Sequence, residues 1–168
     1  SASLVGSEMC IRDSAEAVPG VLFAQADCDH PRGQGTVDVI VTGTAGEATE
    51  GLLKEVREAV DKIAGPYDNV IVKSSVTAPQ DIEVTVTTAD VAAEEEVENR
   101  VNAILTDLLA VRKGRRFNEL RRSDINFAIR SNYSAATNTE ITKPAEDVVL
   151  DKDKVITLGT VKVTVRRE

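Results

Sequence analysis

Aromatic residues are scarce in this sequence, which contains no Trp, two Tyr and three Phe. A hydrophobic core must therefore be built mainly from Val, Ile, Leu and Ala, a composition that favours sheets covered by amphipathic helices. The two cysteines, Cys10 and Cys28, are too few for a disulfide framework and leave the redox compartment undetermined. With one histidine and no G-x-S-x-G motif, neither a Ser-His nor a Cys-His hydrolase arrangement has support.

Charge and hydropathy further limit the classes of protein that this sequence can represent. No apolar run approaches the roughly 20 residues that cross a bilayer, so no membrane span is expected. A formal net charge of -8 favours solubility and argues against general affinity for nucleic acid or anionic membranes. With 168 residues and 42% hydrophobic content, the chain can fill the core of one ordinary domain or of two small ones.

The first regular unit is centred on a strand that leads into a helix. Residues Thr36 to Val41 alternate, with Asp38 on the polar side, which predicts a half-buried strand. Apolar residues then recur at helical spacing, and Thr49 is placed to cap that helix. The predicted buried face of the helix is Leu52, Leu53, Val56, Val60 and Ile63. Flanking strands are predicted at Val21–Cys28, which precedes a longer hairpin loop, and at Val70–Val72, and Gly65-Pro66 is predicted to end the helix.

A second unit is predicted after a hinge at Ala78-Pro79-Gln80, because proline lacks the N–H of a strand ladder. Ile82 to Thr87 gives the clearest strand alternation in the chain. Asp90 is predicted to cap a long helix that ends at Gly114. The predicted buried positions of that helix are Val97, Val101, Ile104, Leu105 and Leu108. A shorter helix is predicted to start at Ser123 and Asp124, and two strands at Thr139–Thr142 and Val155–Val165.

These patterns predict an α+β fold of two small α/β sandwich modules in series, with mixed or antiparallel sheets. The modules read β-β-α-β over residues 18–78 and β-α-α-β-β over residues 79–168. Residues 1–17 are set apart as unstructured, because Ser1–Ser14 has neither helical nor strand periodicity. That stretch resembles a translated library adapter, and an unpatterned native terminus explains it equally well.

Three possible ligand sites were considered, and each favours a structural interpretation. The loop Gly43–Thr49 joins a strand to a helix but lacks a phosphate-binding motif, and Glu47 would repel an anion. Asp27, Cys28, Asp29 and His30 are consecutive, and neighbouring strand residues point to opposite faces, which disfavours a shared metal ion. Glu94–Glu96 read as a solvated helix start. No catalytic, metal or cofactor residue is therefore predicted, and no small-molecule substrate.

A basic cluster is the strongest local feature of the sequence, and its predicted partner-contact residues are Arg112, Lys113, Arg115, Arg116, Arg121 and Arg122. Residues 112–130 carry seven basic and two acidic side chains, a net +5, which leaves -13 for the rest of a chain of net -8. Such a cluster suits an acidic protein neighbour, a phosphate backbone or simple solvation. Because Phe117 is the one aromatic within its densest part, subunit contact is favoured over nucleic-acid binding.

The order of several phrases resembles the baseplate J family of contractile phage tails and related injection machines. The phrases are VPGV at 18–21, RGQGTVDVIVTG at 32–43, LLKEVREAVDKI at 52–63, NVIVKSS at 69–75, DIEVTVTTAD at 81–90, LRRSDINFAIRSN at 120–132, TKP at 142–144 and LGTVKVTV at 158–165. The resemblance implies the C-terminal half of a non-enzymatic, cofactor-free subunit of a baseplate wedge. Its implied partners are other wedge subunits and possibly itself, and its implied location is the virion tail baseplate, assembled in the bacterial host cytoplasm.

Overall fold

The computed structural model describes residues 10–28, 31–63 and 69–168, which form four helices and eight strands of an α+β fold. In chain order, the elements are α1 (10–16), β1 (Val21–Asp27), β2 (Thr36–Gly43), α2 (Glu50–Asp61), β3 (Asn69–Ser74), β4 (Val76–Thr88), α3 (Glu94–Leu108), β5 (Glu119–Leu120), α4 (Arg122–Asn132), β6 (Ala136–Lys143), β7 (Val148–Val149) and β8 (Lys154–Arg167). The chain divides into two compact units. Unit 1 comprises the described residues up to Val76 together with Val111–Gly114, and unit 2 comprises Thr77–Ala110 with Arg115–Glu168.

Unit 1 contains a three-stranded mixed sheet in the order β1-β2-β3. Strands β1 and β2 form the predicted antiparallel hairpin, whereas β2 and β3 are parallel because α2 carries the chain back between them. The alternating valines of β2 and the buried face of α2 share one core. The predicted cap of α2 is confirmed, since Thr49 Oγ1 accepts a hydrogen bond from the backbone N–H of Leu52.

The prediction that β2 is half-buried is wrong, because every residue of β2 is buried. Strand β2 is the central strand, and on its second face Asp38 is covered by the side chains of Arg32 and Lys73. Asp38 on that face is only 6% exposed, and its carboxylate pairs with Arg32 Nε at 2.9 Å and with Lys73 Nζ at 3.3 Å. The burial of Asp38 is therefore compensated by two cations, one from the hairpin loop and one from β3.

Residues 10–16 form a helix that the sequence pattern does not predict. Ile11 and Ala15 lie one helical turn apart and are both buried in the core of unit 1. Two apolar positions in seven residues are too few to reveal a helical period, so the expectation of an unstructured terminus fails over 10–16. Cys10 of this helix is exposed, Cys28 is buried, and neither forms a disulfide.

Unit 2 contains a three-stranded sheet in the order β6-β4-β8, and a separate two-stranded pair of β5 and β7. Strands β4 and β6 are antiparallel. The alternation predicted for Ile82 to Thr87 is confirmed, since the apolar residues of this stretch are buried beneath the helices and the polar ones are more exposed. The buried helix residues of this unit are Val97, Val101 and Leu105 of α3, and Ile125, Ala128 and Ile129 of α4.

Three predicted boundaries in unit 2 are wrong. Strand β4 runs through Ala78-Pro79-Gln80 without a break, although the division between the two units lies close by, between Val76 and Thr77. On the β6 side the ladder begins only at Glu83, so the missing N–H of Pro79 costs no hydrogen bond to β6. Helix α3 has Ala93 as its N-cap rather than Asp90, and it ends at Leu108, well before Gly114. In unit 1, α2 ends at Asp61, and the predicted stop at Gly65-Pro66 lies outside the described residues.

Candidate subunit interface

The predicted contact residues are divided between the two units. Arg112 and Lys113 belong to unit 1, where both are exposed and Lys113 Nζ lies 3.9 Å from Glu16 Oε2. Arg115, Arg116, Arg121 and Arg122 belong to unit 2. The basic cluster is therefore continuous in sequence but divided between the two units, and its two parts have different neighbours.

Arg115 holds its own unit together. One terminal nitrogen, Nη1, donates to the carbonyl oxygens of Leu109 at 2.9 Å and Ala110 at 3.2 Å, just beyond the end of α3. The other, Nη2, donates to the carbonyl of Ile156 in β8, and the guanidinium lies 5.5 Å from the ring centre of Phe117. A cation bound to carbonyls at a helix C-terminus satisfies acceptors that the helix cannot pair. The terminal N–H donors of Arg115 are therefore directed at its own unit rather than at a partner.

Arg122 is also engaged within unit 2. Its backbone N–H donates to Asp147 Oδ1 at 2.8 Å, and its Nη2 donates to the carbonyl of Ile141 in β6. Its Nε is buried and has no hydrogen-bond partner among the described residues. The side chain borders a groove of about 410 Å³ between α4 and β6, whose other lining residues are Ser123, Asn126, Thr139, Glu140 and Ile141.

Arg116 and Arg121 remain at the surface but form ion pairs. Arg116 Nη1 lies 3.0 Å from Glu119 Oε2, and Arg121 lies 3.5 Å from the same oxygen. Arg121 Nη1 also lies 3.6 Å from Asp147 Oδ2. Asp147 is distant in sequence, so the excess of positive charge in residues 112–130 overstates the charge of the folded surface.

The N-terminus of α4 is already occupied by carboxylates. Asp124 Oδ2 accepts the backbone N–H of Arg121 at 3.0 Å, and Asp147 accepts that of Arg122. These carboxylates take the donors that a phosphate group would use at a helix start. The arrangement therefore favours protein contact over recognition of a phosphate backbone.

Three exposed large apolar side chains in the described part of unit 2 were missed in the sequence. Phe127 of α4 is 73% exposed, Val91 before α3 is 98% exposed, and Val149 of β7 is 56% exposed. A signal for Phe127 was available, since it falls outside the helical stripe formed by Ile125, Ala128 and Ile129. Val91 carries no such signal, because it lies in a connection without periodicity.

The other candidate ligand sites of the sequence have core or loop contacts wherever the structure describes their residues. Cys28 is buried in the core of unit 1, and Asp29 and His30 lie outside the described residues. The loop Gly43–Thr49 is fastened by two serines, since Ser74 Oγ accepts the N–H of Ala48 and Ser75 Oγ donates to the Gly46 carbonyl. In the described ranges, no three His, Cys, Asp or Glu side chains come together as metal ligands. No helix in the part of the chain that the structure describes is long and apolar enough to span a membrane.

The pKa of Asp90 is lowered by its hydrogen bonds. Its carboxylate accepts the backbone N–H of Ala92 at 3.0 Å and the hydroxyl of Tyr133 at 2.9 Å. These two hydrogen bonds stabilise the ionised form and lower the pKa of Asp90 below its ordinary value. Asp90 therefore organises the connection before α3 rather than capping the helix.

Comparison with known proteins starts from the fold. The chain is similar to a chain in the cryo-EM structure of the anti-feeding prophage baseplate, with a TM-score of 0.53 and 12% sequence identity. The similarity covers 90% of this chain and 36% of that one, so this chain spans about a third of its length. At this identity the likeness concerns the fold alone. No curated protein sequence matches the chain.

The family is defined by sequence. A model of the baseplate J-like protein C-terminal domain matches residues 80–164, which is half of the chain and most of unit 2. The chain therefore belongs to the baseplate J-like protein family, and it is a phage-tail protein with a structural role in the baseplate.

Proposed function

We propose that this chain is the C-terminal part of a non-enzymatic subunit that joins neighbouring subunits within a baseplate wedge. The single observation that carries the proposal is the family match over residues 80–164. The fold likeness to a chain of the anti-feeding prophage baseplate supports it. The proposed partners are other wedge subunits and further copies of this chain, and the proposed place of assembly is the bacterial host cytoplasm.

The two proposed modules are units 1 and 2, each of which presents its own contact surface. Within the basic cluster, Arg116 and Arg121 are the proposed contacts of unit 2, because their side chains are exposed by 81% and 44%. Their present partners are surface carboxylates, and surface ion pairs of this kind contribute little to folding, about 0–1 kcal/mol. Such pairs are easily exchanged for carboxylates of a neighbouring subunit.

The first test is to sediment tail-like particles from the source organism after prophage induction. Mass spectrometry should find tryptic peptides of this chain, such as the one from Ser123 to Arg130, with the sheath and tube proteins at a constant ratio. A chain that stays in the soluble fraction would refute the baseplate assignment. A salt-dependent shift of labelled duplex or single-stranded DNA at physiological ionic strength would then favour the nucleic-acid alternative, and no shift even at low salt would rule it out.

The second test separates contact from folding. Changing Arg116 and Arg121 together to Ala should reduce co-purification with neighbouring wedge subunits while leaving thermal unfolding almost unchanged. A matched control is Arg57→Ala with Lys54→Ala, which removes two exposed cations from α2 in unit 1. If both double variants retain their neighbours equally well, the basic residues of unit 2 are not the contact.

A further inference from the structure

Helix α4 displays an aromatic and a basic side chain side by side on its outer face. Phe127 is 73% exposed, and Arg130 follows three residues later, so the two side chains are neighbours on the helix surface. Arg130 is exposed and forms no ion pair with another described residue. Aromatic and arginine side chains are the ones most often found at the energetic centre of protein interfaces. We call this pair the aromatic-basic patch.

The connection before α3 displays the opposite charge around an apolar residue. Val91 is 98% exposed, and the exposed carboxylates of Glu94, Glu95 and Glu96 follow it in the first turn of α3. None of these three glutamates forms an ion pair with another described residue. We call Val91 with Glu94–Glu96 the valine-acidic patch.

Hydrogen bonds on both sides of Val91 hold it in place. Asp90 is bound to Thr88, Ala92 and Tyr133, and Tyr133 is almost completely buried. Arg167 donates to the carbonyls of Asp90 and Ala92, the residues before and after Val91. Arg167 keeps its positive charge beside Val91, but the four carboxylates of Asp90 and Glu94–Glu96 outnumber it, so the patch remains negative. A connection fixed in this way loses little conformational entropy on binding, which favours its use as a contact point.

From this complementarity we infer that the aromatic-basic patch of one copy of the chain binds the valine-acidic patch of a second copy. Phe127 packs against Val91, and Arg130 pairs with the glutamates at the start of α3. The second copy is the occupant because it supplies both an apolar side chain and unpaired charge of the required sign. The inference rests on the proposed role as an assembling subunit, which it deepens by naming one partner and the residues in contact. The contact uses two different surfaces, so it forms a reciprocal pair, a ring or an open helical chain.

The test is sedimentation velocity of the purified full chain at concentrations up to about 100 µM, where micromolar association is detectable. Reversible association is expected, and it should weaken as salt is raised because the charges at the rim are screened. Phe127→Ala should weaken it at least tenfold, as expected for the loss of a central aromatic contact. Arg130→Glu should abolish it. Lys54→Glu, an equal charge reversal on the exposed face of α2 in unit 1, should leave it unchanged.

A charge exchange identifies the two surfaces as partners. Glu94→Arg combined with Glu95→Arg should also abolish self-association, since both partners then present cations. A mixture of this double variant with Arg130→Glu should associate again, because each contact then joins opposite charges. Circular dichroism of each variant checks that it is folded, and the mixture tests the contact even where one variant is less stable.

Wild-type chain that remains monomeric at the highest concentration would overturn the inference, as would association unaffected by Phe127→Ala and Arg130→Glu. Charge-reversed variants that are folded but do not associate when mixed would show that these patches do not meet. Each of these results leaves the baseplate proposal standing if the chain still sediments with tail particles. Absence from those particles refutes the baseplate proposal alone, since self-association is measured on the isolated chain.

Discussion

Replacing Arg115 with alanine is expected to lower the free energy of unfolding of unit 2 by about 3 kcal/mol. The guanidinium binds three main-chain carbonyls, those of Leu109, Ala110 and Ile156. A hydrogen bond to a charged group contributes about 1.5–3 kcal/mol, but Arg115 is partly exposed and water replaces part of what is lost. We therefore assign about 1 kcal/mol to each of the three bonds.

Two companion variants make the prediction specific. Arg115→Lys should recover only part of the loss, because a single ammonium group cannot reproduce a fork of two terminal nitrogens directed at α3 and β8. Arg116→Ala, the adjacent exposed arginine, should cost less than about 1 kcal/mol, because its side chain forms one surface ion pair.

The assay is urea unfolding followed by the near-ultraviolet circular dichroism of Tyr133. The chain has two tyrosines and no tryptophan, so a Tyr67→Phe background makes this buried residue a reporter of unit 2. With a denaturant slope of about 1.5 kcal/mol/M, the Arg115→Ala midpoint should fall by about 2 M. The amide of Ile156, which donates to the Phe117 carbonyl at 2.7 Å, should also exchange its hydrogen faster. A midpoint that moves no more than that of Arg116→Ala would refute the assignment of Arg115 as a structural residue.

Two further predictions concern acid stability and close packing. The pKa of Asp90 is lowered on folding, so its carboxylate stabilises the folded state fully above the ordinary pKa near 4, and this contribution is lost as pH falls through the folded pKa. The difference in melting temperature between wild type and Tyr133→Phe should therefore shrink below about pH 4. A difference that stays constant with pH would count against the hydrogen bond between Tyr133 and Asp90. Gly43→Ala places a Cβ 2.8 Å from the Glu47 carbonyl oxygen and should destabilise unit 1 by about 1–3 kcal/mol. In Gly51→Ala, within α2, the new Cβ meets no atom within 4 Å, so this variant should stabilise unit 1 by about 0.5–1 kcal/mol. Urea unfolding should show the two glycine variants moving in opposite directions, and movement of both in the same direction would contradict the packing argument.

The elements with strong periodicity were predicted well from the sequence. The alternation of β4 and the Thr49 cap are local patterns, and each was found where the sequence indicated it. The centres of the predicted buried stripes of α2 and α3 are buried too. The prediction that Ile63 is buried is wrong, because α2 ends at Asp61 and Ile63 is 41% exposed. Their ends were less accurate. Helix α3 stops at Leu108, and Arg115 binds the carbonyls of the next two residues, a contact that no residue type near the helix end predicts.

The contact surface was predicted only in outline. A count of charges along residues 112–130 indicated a basic surface but did not reveal Asp147, which lies beside Arg121 and Arg122 after folding. Nor did it distinguish a cation bound to carbonyls, such as Arg115, from one at the surface, such as Arg116. Such distinctions depend on partners distant in the chain.

The sequence by itself determined the α+β class, the strand and helix periods and the family, because these depend on the spacing of apolar residues and on short phrases in a fixed order. The tertiary structure alone decided which charges are neutralised and which remain available. It also decided that β2 is buried on both faces and that Phe127 and Val91 are exposed. The physical reason is that burial and charge compensation depend on residues that are close in space, whereas periodicity depends on residues that are close in sequence.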